Sequence, residues 1–114
     1  MSAPCLFCKI AAKEIPAGIV YEDQDVVAFR DLNPQAPTHV LVIPKRPIGS
    51  LDDAEPADGA LLGAMMLAVK KVASAAGLTG GHRVVTNNGP DGGQSVAHLH
   101  FHVLGGRPMA WPPG

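Results

Sequence analysis

Apolar positions along this chain follow two periods, and the switches between them lay out the elements. Between Cys5 and Glu14, Leu6, Phe7, Ile10 and Ala11 recur at helical spacing and predict a short amphipathic helix that Pro16 and Gly18 bring to an end. Ile19-Val20-Tyr21 and Val26-Val27-Ala28-Phe29 read as strands joined by the polar turn Glu22-Asp23-Gln24-Asp25, a hairpin. Asn33 to Pro37 breaks the pattern, and the nearly all-apolar His39-Val40-Leu41-Val42-Ile43 predicts a central strand buried on both faces and closed by Pro44 and Pro47. From about Pro56 to Ala76 the helical period returns at Leu61, Leu62, Met65, Met66, Val69, Val72 and Ala73. Lys70 and Lys71 fall toward its C-terminal end, where the macrodipole favours cations, and Gly77 is the expected stop. Arg83 to Asn87 reads as a fourth strand, Gly89 to Gly93 as a turn, and His98 to Leu104 as a fifth strand. The tail Arg107 to Gly114 suits neither helix nor interior strand. Together these predict an α+β fold: a five-stranded antiparallel sheet with one long and one short helix on one side and the other face left for chemistry.

That chemistry concentrates in the fifth strand. His98, His100 and His102 alternate with Leu99, Phe101 and Val103, so three of the five histidines are expected on one face and the apolar residues on the other. Imidazole titrates near neutrality and serves as nucleophile, proton carrier or metal ligand. The Gly-rich stretch Asn88-Gly89-Pro90-Asp91-Gly92-Gly93-Gln94-Ser95 leads straight into this strand. Adjacent amides of such a turn can cradle an anion, with Gln94 and Ser95 adding side-chain donors. His82 stands outside any motif and reads as an exposed loop histidine.

Composition narrows the function. A chain of 114 residues, 46% hydrophobic, is expected to form one domain over residues 1–114. Its net charge is −1 and its nine Lys and Arg are scattered, without the basic stripe of a nucleic-acid binder. No apolar run reaches membrane-spanning length, and Met1-Ser2-Ala3-Pro4 does not open a secretory signal, so a cytoplasmic protein is expected. Cys5 and Cys8, the only two cysteines, have a spacing that suits metal or redox chemistry better than a structural disulfide framework. Neither a P-loop nor G-x-G-x-x-G is present, so phosphoryl chemistry here would run through imidazole.

The run His98-x-His100-x-His102 with apolar spacers resembles the signature of the histidine triad nucleotide-binding proteins. The likeness extends to Phe29 through Lys45, Asp91 through Val96, and Gly105-Gly106-Arg107 through Trp111-Pro112-Pro113-Gly114, which look like the branch that hydrolyses purine nucleoside phosphoramidates. This resemblance implies attack by His100 on the α-phosphorus of a nucleoside 5′-phosphoramidate, a covalent nucleotidyl-imidazole, and release of the nucleoside monophosphate by water. It implies His102 facing the non-bridging oxygens, helped by Gln94 and the backbone amides of Ser95 and Val96, while Ser95 and the histidines manage the proton on the departing amine. Asp31 matches the residue that accepts from the ribose hydroxyls. Leu6, Phe7, Ile10, Phe29 and Leu32 match the purine pocket, Asn87 and Gly93 the phosphate site, and Trp111 a tail that reaches the partner's site in a homodimer.

By the same resemblance, the Cys5-x-x-Cys8 pair of some bacterial members implies zinc. Two thiolates are half of a tetrahedral shell, and His39 and His98 are the matching positions for the rest. A metal-bound His98 would leave proton transfer to His102 or Ser95. Competing expectations are a dinucleoside polyphosphate hydrolase or phosphorylase, a nucleotide-binding regulator with little turnover, and a purely zinc-structural adaptor, which would leave the histidine pattern unexplained.

Overall fold

The structure is a computed structural model that describes residues 5–114; the N-terminal residues 1–4 on which the absence of a secretory signal was read lie outside it. In chain order it contains α1 (Leu6–Ala11), β1 (Ile19–Glu22), β2 (Val26–Arg30), β3 (Thr38–Pro44), two short 3-10 turns (Leu51–Asp53 and Pro56–Asp58), α2 (Gly59–Ala75), β4 (His82–Val85) and β5 (Phe101–Gly105). The strands form one sheet in the order β1-β2-β3-β5-β4, every neighbouring pair antiparallel. The expected α+β fold, with a five-stranded antiparallel sheet and one long helix, is the one found. β3 is its middle strand and is buried along almost its whole length. Among the described residues no helix is long and apolar enough to cross a membrane.

The helices, however, do not share a side. Alternation along each strand splits the core in two. Val26, Ala28, Val40, Val42, Leu99, Phe101 and Val103 face α2, where they meet Met65, Ala68, Val69 and Val72. Val27, Phe29, Leu41 and Ile43 face the other way and receive Phe7 and Ile10 of α1. A six-residue helix is too short to stand alone, and burying these two side chains stabilises its docking by roughly 2 kcal/mol each. The face expected to be open for chemistry is therefore half covered, and α1 becomes a wall of whatever binds there.

Both helices end in a left-handed residue. At the end of α2, Gly77 has φ +73°, its N–H donates to the Ser74 carbonyl (3.1 Å), and the Leu78 N–H donates to Ala73 (3.0 Å). α1 ends earlier than its proline suggested, because Lys13 takes the same place with φ +62°, its N–H on Ile10 (3.0 Å) and the Glu14 N–H on Lys9 (2.8 Å). A side chain in this conformation costs about 1 kcal/mol that glycine does not. Lys13→Gly is thus expected to stabilise the fold by about 0.5 kcal/mol, once loss of the exposed Lys13–Glu22 ion pair (2.9 Å) is subtracted. The urea midpoint checks it, and a lower midpoint would mean that the ion pair outweighs the backbone.

The last strand also differs from expectation. Only residues from Phe101 onward join the ladder, so His98 and His100 precede β5 rather than lie within it. Extended backbone persists there because other bonds hold it: the Leu99 N–H donates to the Ile48 carbonyl (2.6 Å) and the Thr86 hydroxyl donates to the His100 carbonyl (3.0 Å). The two-residue period survives, with Leu99, Phe101 and Val103 packed toward α2. His82 opens edge strand β4 and is exposed, so it is not a loop residue.

Candidate active site

On the α1 face lies a cleft of about 290 Å³ lined by Leu6, Phe7, Ile10, Ile15, Pro16, Ala17, Gly18, Phe29, Arg30, Asp31, Leu32, Leu41, Ser95, Val96, His100 and His102. A larger cleft of about 520 Å³ shares Arg30 and Asp31 but runs past Val72, Ala75 and Ala76 and contains neither His100 nor His102. The smaller one holds the chemistry. Phe7 joins its apolar and imidazole sides: the ring is edge-on to Phe29 (5.5 Å), His100 (5.1 Å) and His98 (6.0 Å). His100 and His102 have ring centroids 5.0 Å apart.

Hydrogen-bond partners fix which nitrogen of each ring carries the proton. The His100 Nδ1 lies 2.6 Å from the His98 carbonyl oxygen, which can only accept, so Nδ1–H donates and the lone pair of the neutral ring sits on Nε2. For His39 the logic reverses: the Gln35 main-chain N–H donates to its Nδ1 (3.0 Å), leaving the proton on Nε2. That Nε2–H faces His102 Nδ1 at 2.8 Å, with an Asp31 oxygen 3.4 Å away. His102 Nδ1 therefore accepts, and its proton resides on Nε2. This nitrogen is enclosed and has no hydrogen-bond partner among the described residues. A buried donor without a partner costs roughly 1–3 kcal/mol, which suits an atom waiting for an acceptor. The Gln35 amide, which sets this relay, was invisible in the sequence because any non-proline residue supplies an N–H.

Burial disfavours the imidazolium. It pushes His102 down from the ordinary 6.5 to about 4, with the His100 and His39 rings adding to the effect and Asp31 opposing it. Burial also lowers His39, against the pull of Asp31. Between pH 6.5 and 4 the unfolded chain protonates the His102 ring while the folded chain does not, so stability falls as pH drops through that window and levels off below it. About 2 kcal/mol is expected from His102, allowing for its partial exposure. Denaturant midpoints at pH 7, 5 and 4 check this, and His102→Gln should make the acid slope shallower; an unchanged slope would assign the loss to other groups.

The Gly-rich loop behaves differently from expectation. Its amides are consumed internally: Gly93 N–H donates to Pro90 (3.0 Å) and Gln94 N–H to Gly89 (3.1 Å). The Gln94 side chain accepts from the Gly89 N–H (3.0 Å) and donates to the Gly49 (2.8 Å) and Val96 (3.0 Å) carbonyls, so it shapes the loop instead of offering a free donor. Gly92 is required here, since a Cβ would stand 2.5 Å from the Asn88 carbonyl oxygen. Asn88 in turn exchanges two 3.0 Å hydrogen bonds with Asp52, docking the loop on the first 3-10 turn. What reaches the cleft is Ser95 and Val96. Asn87, Gly93, Gln94 and Trp111 do not line it; Trp111 is 81% exposed, on a tail held to β4 by an Arg83 hydrogen bond to the Ala110 carbonyl (2.7 Å). Asp31, at the end of β2, lines the cleft and accepts the Asn33 N–H on one oxygen (2.8 Å). Leu32, also lining it, is almost fully exposed.

His98 points elsewhere. It is fully buried, its Nε2–H donates to the Pro44 carbonyl (2.9 Å), and its Nδ1 lone pair faces Cys5 Sγ (3.1 Å) and Cys8 Sγ (3.3 Å). These three donor atoms lie within 4.8 Å of one another, and two sulfurs with an imidazole nitrogen are a donor set for a soft divalent cation such as zinc. Among the described residues the fit extends to three ligands. His39, expected as the fourth, is not part of the group: β3 carries it to Asp31 and His102, where both its nitrogens are engaged. Asp31, His39 and His102 also cluster, but the 2.8 Å contact between two ring nitrogens identifies a hydrogen bond there.

Comparisons with known proteins agree with this fold. Residues 12–109 match the HIT domain. A HIT-like protein of Synechococcus elongatus is 58% identical over 114 residues, all of both chains. A 14 kDa zinc-binding protein of Zea mays is 54% identical, covering 98% of this chain and 89% of the relative. The crystal structure of a HIT family hydrolase from Legionella pneumophila superposes with a TM-score of 0.95 at 53% identity, covering 97% of this chain and 100% of that one. With the domain match spanning both the His39 strand and the three alternating histidines, the chain belongs to the HIT family.

Proposed function

We propose that this chain hydrolyses purine nucleoside 5′-phosphoramidates to the nucleoside monophosphate and an amine, as one HIT domain over residues 1–114. The observation that carries this is a pair of imidazoles in one cleft with opposite tautomers, His100 offering a lone pair and His102 an unpartnered N–H. The base would lie against Leu6, Phe7, Ile10, Phe29 and Leu32, and Asp31 would accept from the ribose hydroxyls. His100 Nε2 attacks the α-phosphorus and the P–N bond breaks, which requires a proton on the departing nitrogen. Solvent water supplies that proton and the Ser95 hydroxyl can relay it, while the His102 Nε2–H, on a ring held neutral, donates a hydrogen bond and keeps its proton. His102, with the main-chain N–H groups of Ser95 and Val96, also faces the charge that develops on the phosphoryl oxygens. Water then attacks phosphorus, the P–N bond to His100 breaks, and the free ring is regenerated.

His39 acts through His102 and is a positioning residue. Cys5, Cys8 and His98 would hold zinc, whose part is structural: it ties α1 to the segment before His100 and supplies no chemistry to the cleft. The zinc-binding maize relative supports the metal assignment, and the Legionella hydrolase supports hydrolysis as the reaction. A homodimer that extends the sheet and receives the partner's tail is consistent with the exposed Met66, Leu67 and Trp111. Turnover of adenosine phosphoramidate measured beside diadenosine polyphosphates tests the reading, with the phosphoramidate expected to be preferred at least about tenfold in kcat/KM. Preference for the polyphosphates would replace the substrate class, and no turnover of either would leave a nucleotide-binding regulator.

A further inference from the structure

Cys5 and Cys8 are in disulfide contact, their Cα atoms 5.1 Å apart, while both sulfurs also lie beside His98 Nδ1. These are alternative uses of the same atoms. A metal ligand must be a thiolate, and sulfurs joined to each other have no thiolate to give. We propose that Cys5 and Cys8 form a reversible dithiol–disulfide switch, in which oxidation by a low-molecular-weight disulfide expels a divalent cation from the Cys5–Cys8–His98 group.

Three features support it. Both cysteines are only partly buried, so a small disulfide reaches them, and the Cys8 N–H donates to Cys5 Sγ (3.1 Å), which holds the pair together in the first turn of α1. Among the described residues the group offers a cation three protein ligands, His39 being committed elsewhere, and a site short of a fourth protein ligand would release its ion more readily than a closed one. Finally, the disulfide arrangement is accommodated with α1 in place: with the sulfurs in contact, Phe7, between the two cysteines in sequence, packs on the His98 and His100 rings, and the His98 carbonyl holds the His100 Nδ1–H.

The exchange balances. One thiolate attacks the external disulfide and releases one small thiolate; the second cysteine then attacks the mixed disulfide and releases the other. Two electrons pass from the protein pair to the external disulfide, the two small thiolates take protons from solvent, and the cation leaves to solvent.

The test loads reduced full-length chain with zinc alone, removes the excess, and adds oxidised glutathione while a chromogenic chelator reports metal. Zinc release is expected in step with loss of both thiols and an intact mass lighter by two hydrogens, and dithiothreitol should restore binding. Cys8→Ser should stop at the mixed disulfide, gaining one glutathionyl group in place of a hydrogen. Failure of the reduced chain to bind zinc, a disulfide that retains the metal, or thiols inert to glutathione each overturns the switch.

Discussion

Replacing His100 with alanine is expected to lower phosphoramidate turnover by about 10⁴-fold or more, an increase of roughly 5.5 kcal/mol in the barrier. The size follows from the cleft's content. Of the rings that line it, His102 presents an N–H and His100 alone presents a lone pair. Without that nitrogen the covalent route closes, and only direct attack by water remains. Adenosine monophosphate should still bind within a few-fold of the native affinity, since the apolar wall and Asp31 are untouched. His100→Gly offers a sharper form of the experiment: free imidazole diffusing into the space should restore part of the rate. Turnover retained in His100→Ala, or lost together with nucleotide binding, would remove the nucleophile assignment. A folding defect is told apart by the urea midpoint, because a buried ring packed on Phe7 contributes to stability as well.

Much of the frame was legible because it depends on local pattern. The two-residue period from Leu99 to Val103 correctly assigns the α2 side of the sheet, although the ladder begins only at Phe101. Gly77 correctly ends α2, since glycine is the ordinary carrier of a left-handed backbone; Lys13 does the same for α1 and gives no sign of it. What the pattern could not supply is which distant groups meet. Spacing shows that α1 has an apolar face, but not that it crosses to the side of the sheet away from α2. His39 fits a zinc shell by residue type, yet β3 pairs Leu41 with His102 and so brings His39, two residues earlier, beside that ring. Gln94 fits a phosphate donor by chemistry, and the folded loop spends its amide on Gly89, Gly49 and Val96. Side chains with two hydrogen-bonding ends are where sequence reading is weakest, because tertiary partners decide which end is free.

His39 carries the second large effect, and it does so without lining the catalytic cleft. In His39→Leu the Gln35 N–H and His102 Nδ1 both lose their partner, and the proton of the neutral His102 ring is no longer directed to Nε2. The expected result is a fall of about 10²-fold in kcat with KM changed less than about threefold, the size seen when one oriented hydrogen-bond donor to developing charge is lost. His39→Gln separates orientation from bulk. Its side-chain carbonyl can accept from the Gln35 amide and its NH₂ can donate to His102 Nδ1, so it reproduces both ends of the imidazole. At least about tenfold of the lost kcat should return in that variant. A merely structural role would instead lower the urea midpoint and kcat in parallel and show no preference for Gln over Leu. Full activity in His39→Leu would mean that His102 finds its working tautomer unaided, and the enclosed N–H would then need another explanation.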